Sequence, residues 1–308
     1  MKTVLIATEK PFSKAATASI TAILEEKGHK VKLLEKYTDV NQLYKAVADV
    51  NAIIVRSDKI TPEVVSHAPN LEMVVRAGAG YDNVDLVVTK GKGIVVENTP
   101  GQNSNAVAEL AFGLMVMAAR NFYDGSTGFE LKGKKFGIHG FGYIGKCSAT
   151  IANGFGMEIF YHHSRLLPIE VTGPYNAIGI EDVVDFYRTC QFISLNIPMR
   201  PANAKIINYD LMMSMPENAV LVNTARAEVV NDEDLLRVFE DRKDFRYAAD
   251  VVPSNKAEIA EKFAGRVFFT PKKLGAQTAE ANNNAGMAAA NQINEYFATG
   301  VSQFQVNK

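Results

Sequence analysis

The stretch KFGIHGFGYIG, residues 135–145, decides the fold of this chain. Its glycines Gly140, Gly142 and Gly145 satisfy the pattern G-x-G-x-x-G. The first permits a tight turn after a strand, the second lets a pyrophosphate approach the backbone, and the third lets a helix pack close to the sheet. A strand-like run precedes the motif, a helical pattern follows it, and a second apolar run, EIFYHH, occupies residues 158–163. The stretch therefore predicts a dinucleotide-binding βαβ unit, with the helix N-terminus facing the phosphates.

The end of the second strand departs from the usual pattern. NAD-binding units place an Asp or Glu there to hold the ribose hydroxyls, whereas this chain has His162, His163, Ser164 and Arg165. His163 occupies the position of the acid, and a neutral imidazole can hydrogen-bond a ribose hydroxyl. Ser164 and Arg165 can equally receive a 2′-phosphate. These residues leave NAD and NADP both open, and they are also compatible with a plain exposed strand end.

Short apolar runs alternate with helical patterns along the whole chain, which is typical of parallel βαβ units. The predicted strands are VLIAT (4–8), KVKLLE (30–35), AIIVR (52–56), MVVRA (73–77), IVVEN (94–98), FGIHG (136–140), EIFYHH (158–163), FISLNI (192–197), AVLVNT (219–224), YAADVV (247–252) and VFFTP (267–271). The fold class is therefore α/β, with two doubly wound blocks joined near residues 98–110.

Composition excludes several other classes of function. A chain of 308 residues predicts two domains. Its formal net charge of -1, without a long run of one sign, argues against a nucleic acid or an anionic membrane as partner. The longest apolar run, residues 107–119, is too short for a membrane span and contains Glu109. The N-terminus lacks a signal-peptide cleavage site, and two distant cysteines, Cys147 and Cys190, fit reduced, buried thiols. We expect a cytoplasmic protein with a small-molecule substrate and no metal site.

A set of motifs resembles the D-isomer-specific 2-hydroxyacid dehydrogenase family, and within it the branch of phosphoglycerate dehydrogenases. The matching stretches are VRSDKITPEVV (55–65), VVRAGAGYDNVDL (74–86), ENTPGQNSNAVAELAFGLMV (97–116), GKKFGIHGFGYIGK (133–146), FISLNIP (192–198), LVNTARAEVVND (221–232), AADVV (248–252) and LGAQTAEA (274–281). They follow the family's order from about residue 50 to residue 282.

The resemblance implies a particular domain organisation. A flavodoxin-like substrate-binding domain would consist of residues 1–98 and 283–308, with a Rossmann-type cofactor domain, residues 99–282, inserted in it. It also implies a homodimer. The loop between Arg120 and Gly133 is shorter than in many relatives, and the chain ends at Lys308 soon after its last helical pattern. We therefore expect no appended regulatory domain.

The resemblance also implies the residues of a hydride-transfer site. Arg226 matches the family's catalytic arginine, whose planar guanidinium binds a carboxylate at two points. The family's acid/base histidine is absent, and the sequence there reads T-P-K-K-L-G. Lys273 takes its position if the downstream LGAQTAEA sets the register, and Lys272 does if T-P sets it. The downstream match is longer, so Lys273 is preferred. The family's partner glutamate is also missing and falls near Asn255.

These two departures are chemically consistent with each other. A histidine needs a carboxylate to fix its tautomer and raise its basicity. A lysine has no tautomer, and a carboxylate would only raise its pKa further above neutrality. Burial and the nearby Arg226 would lower the pKa of Lys273 towards a useful value.

Further site residues follow from the same resemblance. In the first block, Arg56, Ser57 and Arg76 form a candidate phosphate site, and Gly78 and Ala79 offer backbone N–H groups to a carboxylate. The residues predicted to contact the cofactor are Gly140, Gly142, Tyr143, Ile144, Gly145, His163, Ser164, Asn196, Pro198, Thr224, Ala225 and Asp250.

Three functions fit these observations. The preferred one is an NAD-linked D-3-phosphoglycerate dehydrogenase of serine biosynthesis. A second is a reductase of hydroxypyruvate, glyoxylate or another 2-ketoacid, with NADH or NADPH as the reductant. A third is a non-catalytic NAD sensor resembling the family's transcriptional corepressors, because loss of both histidine and glutamate is what a decayed site would show.

Overall fold

The computed structural model describes residues 1–308 and divides into two compact units. The first unit holds Met1–Asn103 and Thr278–Lys308, so both ends of the chain contribute to it, and the second holds Ser104–Gln277. Each unit contains its own parallel β-sheet.

Twelve strands and twelve α-helices form these units. The strands are β1 (Thr3–Thr8), β2 (Lys30–Glu35), β3 (Ala52–Val55), β4 (Met73–Arg76), β5 (Val95–Asn98), β6 (Lys135–His139), β7 (Glu158–His162), β8 (Ile178–Gly179), β9 (Phe192–Leu195), β10 (Val220–Asn223), β11 (Arg246–Ala249) and β12 (Val267–Phe269). The α-helices are α1 (Lys14–Glu26), α2 (Val40–Ala46), α3 (Pro62–Ser66), α4 (Leu86–Gly91), α5 (Ser104–Ala119), α6 (Tyr143–Gly154), α7 (Ile169–Thr172), α8 (Val183–Thr189), α9 (Tyr209–Ser214), α10 (Asp232–Asp241), α11 (Lys256–Lys262) and α12 (Ala279–Thr299). Short 3₁₀ turns occur at Asn121–Tyr123, Gly173–Tyr175, Pro201–Asn203 and Ala227–Val229.

The two sheets have the two common doubly wound strand orders. In the first unit the order is β2-β1-β3-β4-β5, the flavodoxin-like arrangement. In the second unit the order is β12-β11-β10-β9-β6-β7-β8, a Rossmann arrangement extended by one strand. The predicted α/β class with two doubly wound domains, one flavodoxin-like and one Rossmann-type, is confirmed.

Burial on both faces explains why the strands read as continuous apolar runs. In β10, Leu221 packs in the core on one face of the sheet, while Val220 and Val222 pack in the core on the other. Because successive strand residues point to opposite faces, a sheet covered by helices on both sides needs apolar residues at every position.

Side-chain caps fix where several helices begin. Asn231 accepts a hydrogen bond from the N–H of Asp234 at the start of α10, whose first turn is acidic, and Thr278 caps α12. Both arrangements satisfy helix N–H groups that otherwise lack partners.

The structure differs from the sequence-based expectations in two details of the fold. The two-residue strand β8 was not predicted, because so short a segment carries no periodic signal. Cys190 is buried as expected, but Cys147 is only partly buried, on α6. None of the helices is both long and apolar enough to cross a membrane.

Candidate active site

The glycine-rich loop connects β6 to α6 where the strand order of the second sheet reverses. Ligands of doubly wound sheets bind at this point, beside the carboxyl ends of the strands. Gly140 has a φ of +100°, which favours glycine, and a Cβ there would lie 2.8 Å from the carbonyl oxygen of Asn196. The N–H of Asn196 donates to the carbonyl oxygen of His139 at 2.8 Å. The loops that follow β6 and β9 are therefore in direct contact.

The N-terminus of α6 is open to an anion. Gly142 caps this helix without a side-chain hydrogen bond, and a Cβ on Gly142 would meet no atom within 4 Å. A Cβ on Gly145 would instead lie 2.5 Å from the carbonyl oxygen of Gly140. The loop thus has free space above its second glycine and tight packing at its third. The N–H groups of Tyr143 and Ile144, in the first turn of the helix, are the donors that a phosphate takes at such a terminus.

Two polar atoms beside this loop are buried without a hydrogen-bond partner. They are Oδ1 of Asn196, after β9, and Oγ1 of Thr224, after β10. These strands are neighbours, and their last residues are paired in register. Buried polar atoms normally have a partner, so this pair fits a ligand that carries hydroxyl or amide groups. Pro198 is exposed and Ala225 is buried in the same two loops.

His163, the residue after β7, hydrogen-bonds the backbone of the glycine-rich loop. The N–H of Phe141 donates to Nδ1 of His163 at 3.3 Å. Burial, with smaller contributions from Arg165 and His162, lowers the pKa of His163 below its ordinary value. His163 is half-buried, whereas Ser164 and Arg165 are exposed. The residue at the position of the usual acid therefore contacts the loop backbone directly.

Arg226 is held by a turn that Asn223 organises. The Asn223 side chain accepts the N–H of Ala225 and donates to the carbonyl oxygen of Arg226, each at 3.0 Å. It also hydrogen-bonds the hydroxyl of Tyr247 at 3.2 Å. The guanidinium donates from Nη1 to the Ala225 carbonyl oxygen at 2.8 Å, and Nε and Nη2 donate to no protein atom. The sequence analysis did not select Asn223, although an amide that ends a buried strand was a usable signal.

Hydrogen bonds to Asp250 hold the turn that contains Lys272 and Lys273. This carboxylate is 1% exposed. Its Oδ1 accepts from the Thr270 hydroxyl at 2.8 Å and from the Leu274 N–H at 2.7 Å, and its Oδ2 accepts from the Gly275 N–H at 2.8 Å. Asp250 therefore has a role within the second unit, and its predicted contact with the cofactor stays a prediction.

Lys272 and Lys273 are both exposed. The burial that we expected to lower the pKa of Lys273 is therefore absent from this structure, and that part of the sequence argument is corrected. Asn255 stands at the start of α11, where its Nδ2 donates to the carbonyl oxygen of Asp232 at 2.8 Å. Its Oδ1 is buried without a partner.

In the first unit, Arg76 at the end of β4 contacts the main chain of Arg56, the residue that follows β3. Nε of Arg76 donates to the carbonyl oxygen of Arg56 at 2.9 Å. The Arg76 guanidinium lies against Gly78, where a Cβ would collide with it. Ser57 is exposed beside this pair.

The loop after β4 is held through its carbonyl groups. The carbonyl oxygen of Gly78 accepts the N–H of Thr99 at 3.0 Å, and that of Ala79 accepts Nδ2 of Asn98 at 2.6 Å. The N–H groups of Gly78 and Ala79 donate to no protein atom, and their predicted contact with a carboxylate stays a prediction.

Arg56 also makes contacts that the sequence did not reveal. Its Nη1 donates to the carbonyl oxygens of Lys10 and Pro11 at 2.9 and 3.1 Å, and its Nη2 donates to Oδ1 of Asn282. The guanidinium lies 5.1 Å from the ring centroid of Phe12. No sequence signal pointed to Asn282, because it reaches Arg56 only through the tertiary fold.

The buried Asp58 is another residue that the sequence analysis missed. Its carboxylate accepts the N–H of Glu9 at 2.7 Å, the Tyr37 hydroxyl at 2.8 Å and the N–H of Arg56 at 3.3 Å. Asp58 thus fixes the loops after β1 and β3 relative to each other. An acid placed three residues after the buried β3 was the available signal.

Comparisons with known proteins identify the family. Residues 106–272 match the model described as D-isomer specific 2-hydroxyacid dehydrogenase, NAD binding domain. The hydroxypyruvate reductase of Thermotoga maritima is 32% identical over 305 residues, covering 92% of this chain and 95% of that protein. The D-3-phosphoglycerate dehydrogenase of Methanocaldococcus jannaschii is 31% identical over 300 residues, which are 90% of this chain, and this chain spans 57% of that protein's length.

A solved structure agrees with these sequence relatives. The NAD⁺-bound 3-phosphoglycerate dehydrogenase of Entamoeba histolytica is 40% identical and superposes with a TM-score of 0.87, covering 100% of this chain and 99% of that one. This chain belongs to the D-isomer-specific 2-hydroxyacid dehydrogenase family and is an NAD-dependent oxidoreductase. The free space above Gly142 and the unpartnered atoms of Asn196 and Thr224 fit NAD as its cofactor.

Proposed function

We propose that this protein is a D-3-phosphoglycerate dehydrogenase that catalyses the first step of serine biosynthesis in the cytoplasm, as a homodimer. The observation that carries the proposal is the contact of Arg76 with the main chain of Arg56, which brings the ends of β3 and β4 together beside a loop with available N–H groups. The similarity to the Entamoeba histolytica enzyme, over the full length of both chains, supports the same substrate.

The first unit, Met1–Asn103 with Thr278–Lys308, binds the substrate in this proposal. A phosphate dianion is best matched by arginine side chains, because their planar donor sets match its oxygens. Arg56 and Arg76 therefore bind the phosphate, and the exposed Ser57 hydroxyl adds a donor. The N–H groups of Gly78 and Ala79 bind the substrate carboxylate.

The second unit performs the chemistry. The chemistry that NAD supplies when bound is acceptance of a hydride from C2 of the substrate. Arg226 holds the carboxylate and stabilises the developing carbonyl oxygen through Nε and Nη2, which donate to no protein atom. Lys273 takes the hydroxyl proton as the C2–O bond becomes a carbonyl. The amine form that this step needs is favoured in the proposal by the positive charge of Arg226, and not by burial. Asp250 holds the backbone that follows Lys273.

A second function has its own support. The Arg56 guanidinium already donates hydrogen bonds to Lys10, Pro11 and Asn282, so fewer of its N–H groups remain for a phosphate. A hydroxypyruvate or glyoxylate reductase needs no phosphate site, and the Thermotoga maritima hydroxypyruvate reductase is matched over 95% of its length.

A substrate panel separates these functions. The purified protein is assayed with D-3-phosphoglycerate and NAD or NADP, and in the reductive direction with 3-phosphohydroxypyruvate, hydroxypyruvate and glyoxylate. The proposal expects the highest kcat/KM for the phosphorylated pair, and a loss of that preference in Arg76→Ala. Equal or better reduction of hydroxypyruvate supports the second function. Tight NADH binding without turnover of any substrate would identify a sensor, and gel filtration with light scattering tests the dimer.

A further inference from the structure

Two adjacent histidines at the end of β7 make opposite kinds of hydrogen bond. Nδ1 of His162 lies 3.1 Å from the carbonyl oxygen of Ile180, which can only accept, so this nitrogen carries a proton. Nδ1 of His163 receives the N–H of Phe141, which can only donate, so this nitrogen carries a lone pair. The neutral His163 ring therefore has its proton on Nε2.

Protonation has different consequences for the two rings. An imidazolium carries a proton on both nitrogens. His162 keeps its bond to Ile180 in either state, because its Nδ1 is a donor in both. His163 loses its bond to Phe141, because a protonated Nδ1 would face the Phe141 N–H donor to donor.

The bond to His163 matters because it lies inside the nucleotide-binding motif. Gly140 donates its N–H to the carbonyl oxygen of His162 at 2.9 Å, and Phe141 donates to His163. The first two N–H groups of the glycine-rich loop are thus both fixed by the end of β7. Breaking the bond between Phe141 and His163 releases the backbone just before Gly142, the residue that caps the open N-terminus of α6.

We propose that His163 is a positioning residue that shapes the glycine-rich loop only while its ring is neutral, so that NAD(H) binding weakens on acidification when this ring gains a proton. Its Nε2–H offers a ribose hydroxyl a donor where related units offer an acidic acceptor. This inference rests on the binding of NAD and does not depend on phosphoglycerate being the substrate.

The surroundings of His163 favour the neutral ring. The charged or titratable groups that act on it are Arg165 and His162, its neighbours in the chain. His139, on the neighbouring β6, has its own pKa lowered in part by His163. Burial is the largest influence, and with Arg165 and His162 it lowers the pKa of His163 below its ordinary value. Since the folded pKa is lowered, the bond is complete at neutral pH and is lost as the pH falls through the lowered value.

The first test reads the tautomers directly. Long-range ¹H–¹⁵N spectra of the intact protein at pH 7.5 resolve ring nitrogens, and the chain has only 5 histidines to assign. We expect a proton on Nε2 of His163 and on Nδ1 of His162. A proton on Nδ1 of His163 at this pH overturns the proposal without any substitution.

The second test measures the dissociation constant of NADH by fluorescence titration between pH 5 and 8. The wild type is expected to bind about fivefold more weakly at the acidic end, the size of one lost hydrogen bond. His163→Asn places an amide oxygen near the position of Nδ1 but removes the Nε2–H donor, so it should bind NADH more weakly than the wild type at pH 7.5. Because it does not titrate, its pH profile should be flat. His162→Asn is the matched control and should keep the wild-type profile.

Three outcomes refute the inference. They are a flat wild-type profile, an unchanged pH dependence in His163→Asn, and a dependence that disappears in His162→Asn instead. Because the readout is binding of the nucleotide, failure of the phosphoglycerate assay leaves this test unaffected.

Discussion

Replacing Asp250 with Asn should loosen the lysine-bearing turn while it preserves the shape of the side chain. The wild-type carboxylate accepts from the Thr270 hydroxyl, the Leu274 N–H and the Gly275 N–H, all within 2.8 Å. An asparagine has one acceptor oxygen and one amide donor group. Whichever way the amide is oriented, its NH₂ faces the N–H of Leu274 or of Gly275, so one backbone donor loses its acceptor.

The magnitude follows from these three contacts. A hydrogen bond to a charged group contributes about 1.5–3 kcal/mol, and an unsatisfied buried donor costs about 1–3 kcal/mol. We expect Asp250→Asn to lower the free energy of unfolding by about 3 kcal/mol. For a unit of this size that is a fall in Tm of about 6–12 °C.

Calorimetry measures this change in stability. Titration with NADH shows whether Asp250 also contributes to nucleotide binding. If the carboxylate only positions the turn, kcat measured at temperatures well below the melting range should fall. The dissociation constant of NADH should then change by less than about fivefold, the effect of losing one hydrogen bond of about 1 kcal/mol. Thr270→Val removes one donor to the carboxylate but leaves both backbone N–H groups bonded, so it should cost about 1.5 kcal/mol, less than Asp250→Asn. Glu258→Gln, in an exposed pair with Lys262, is the control for charge removal and should leave Tm unchanged. A Tm of Asp250→Asn within about 1–2 °C of the wild type would contradict the role of Asp250 in holding this turn.

Three further predictions concern the site and the first unit. Gly142 has a φ of -89° and open space around it, so Gly142→Ala should fold normally but weaken NADH binding at least about tenfold. In Gly145→Ala the new Cβ would lie 2.5 Å from a backbone oxygen, so this variant should lose about 2 kcal/mol of stability in denaturant titrations. Lys273→Ala should lower kcat at least about a hundredfold and Lys272→Ala less than about twofold in steady-state assays; full activity of Lys273→Ala removes the proton-transfer role. Burial raises the pKa of Glu97, so its protonated form stabilises the fold at low pH, and this stability is lost as the pH rises through the raised value. Glu97→Gln keeps an acceptor for the Phe304 N–H, so it should match the wild type in Tm near pH 4 and exceed it at pH 7; an equal Tm at both values contradicts the assignment.

The sequence by itself determined the fold class and the location of the nucleotide motif. Strands buried on both faces must be apolar at every position, and a glycine-rich turn after such a strand has few other structural uses. For these reasons all eleven predicted runs form strands, and Gly140, Gly142 and Gly145 have the conformation and packing that the motif required. The family motifs also pointed to Arg226 and to the lysine pair.

Only the tertiary structure decided which partners those residues have. Asp250 contacts a turn about twenty residues further along the chain, and Arg56 contacts Asn282 from the other end of it. Local periodicity carries no information about such contacts, because they depend on which loops the strand order brings together. The exposure of Lys273 and the opposite tautomers of His162 and His163 are also decided there, since both depend on neighbouring groups in space and not on neighbours in sequence.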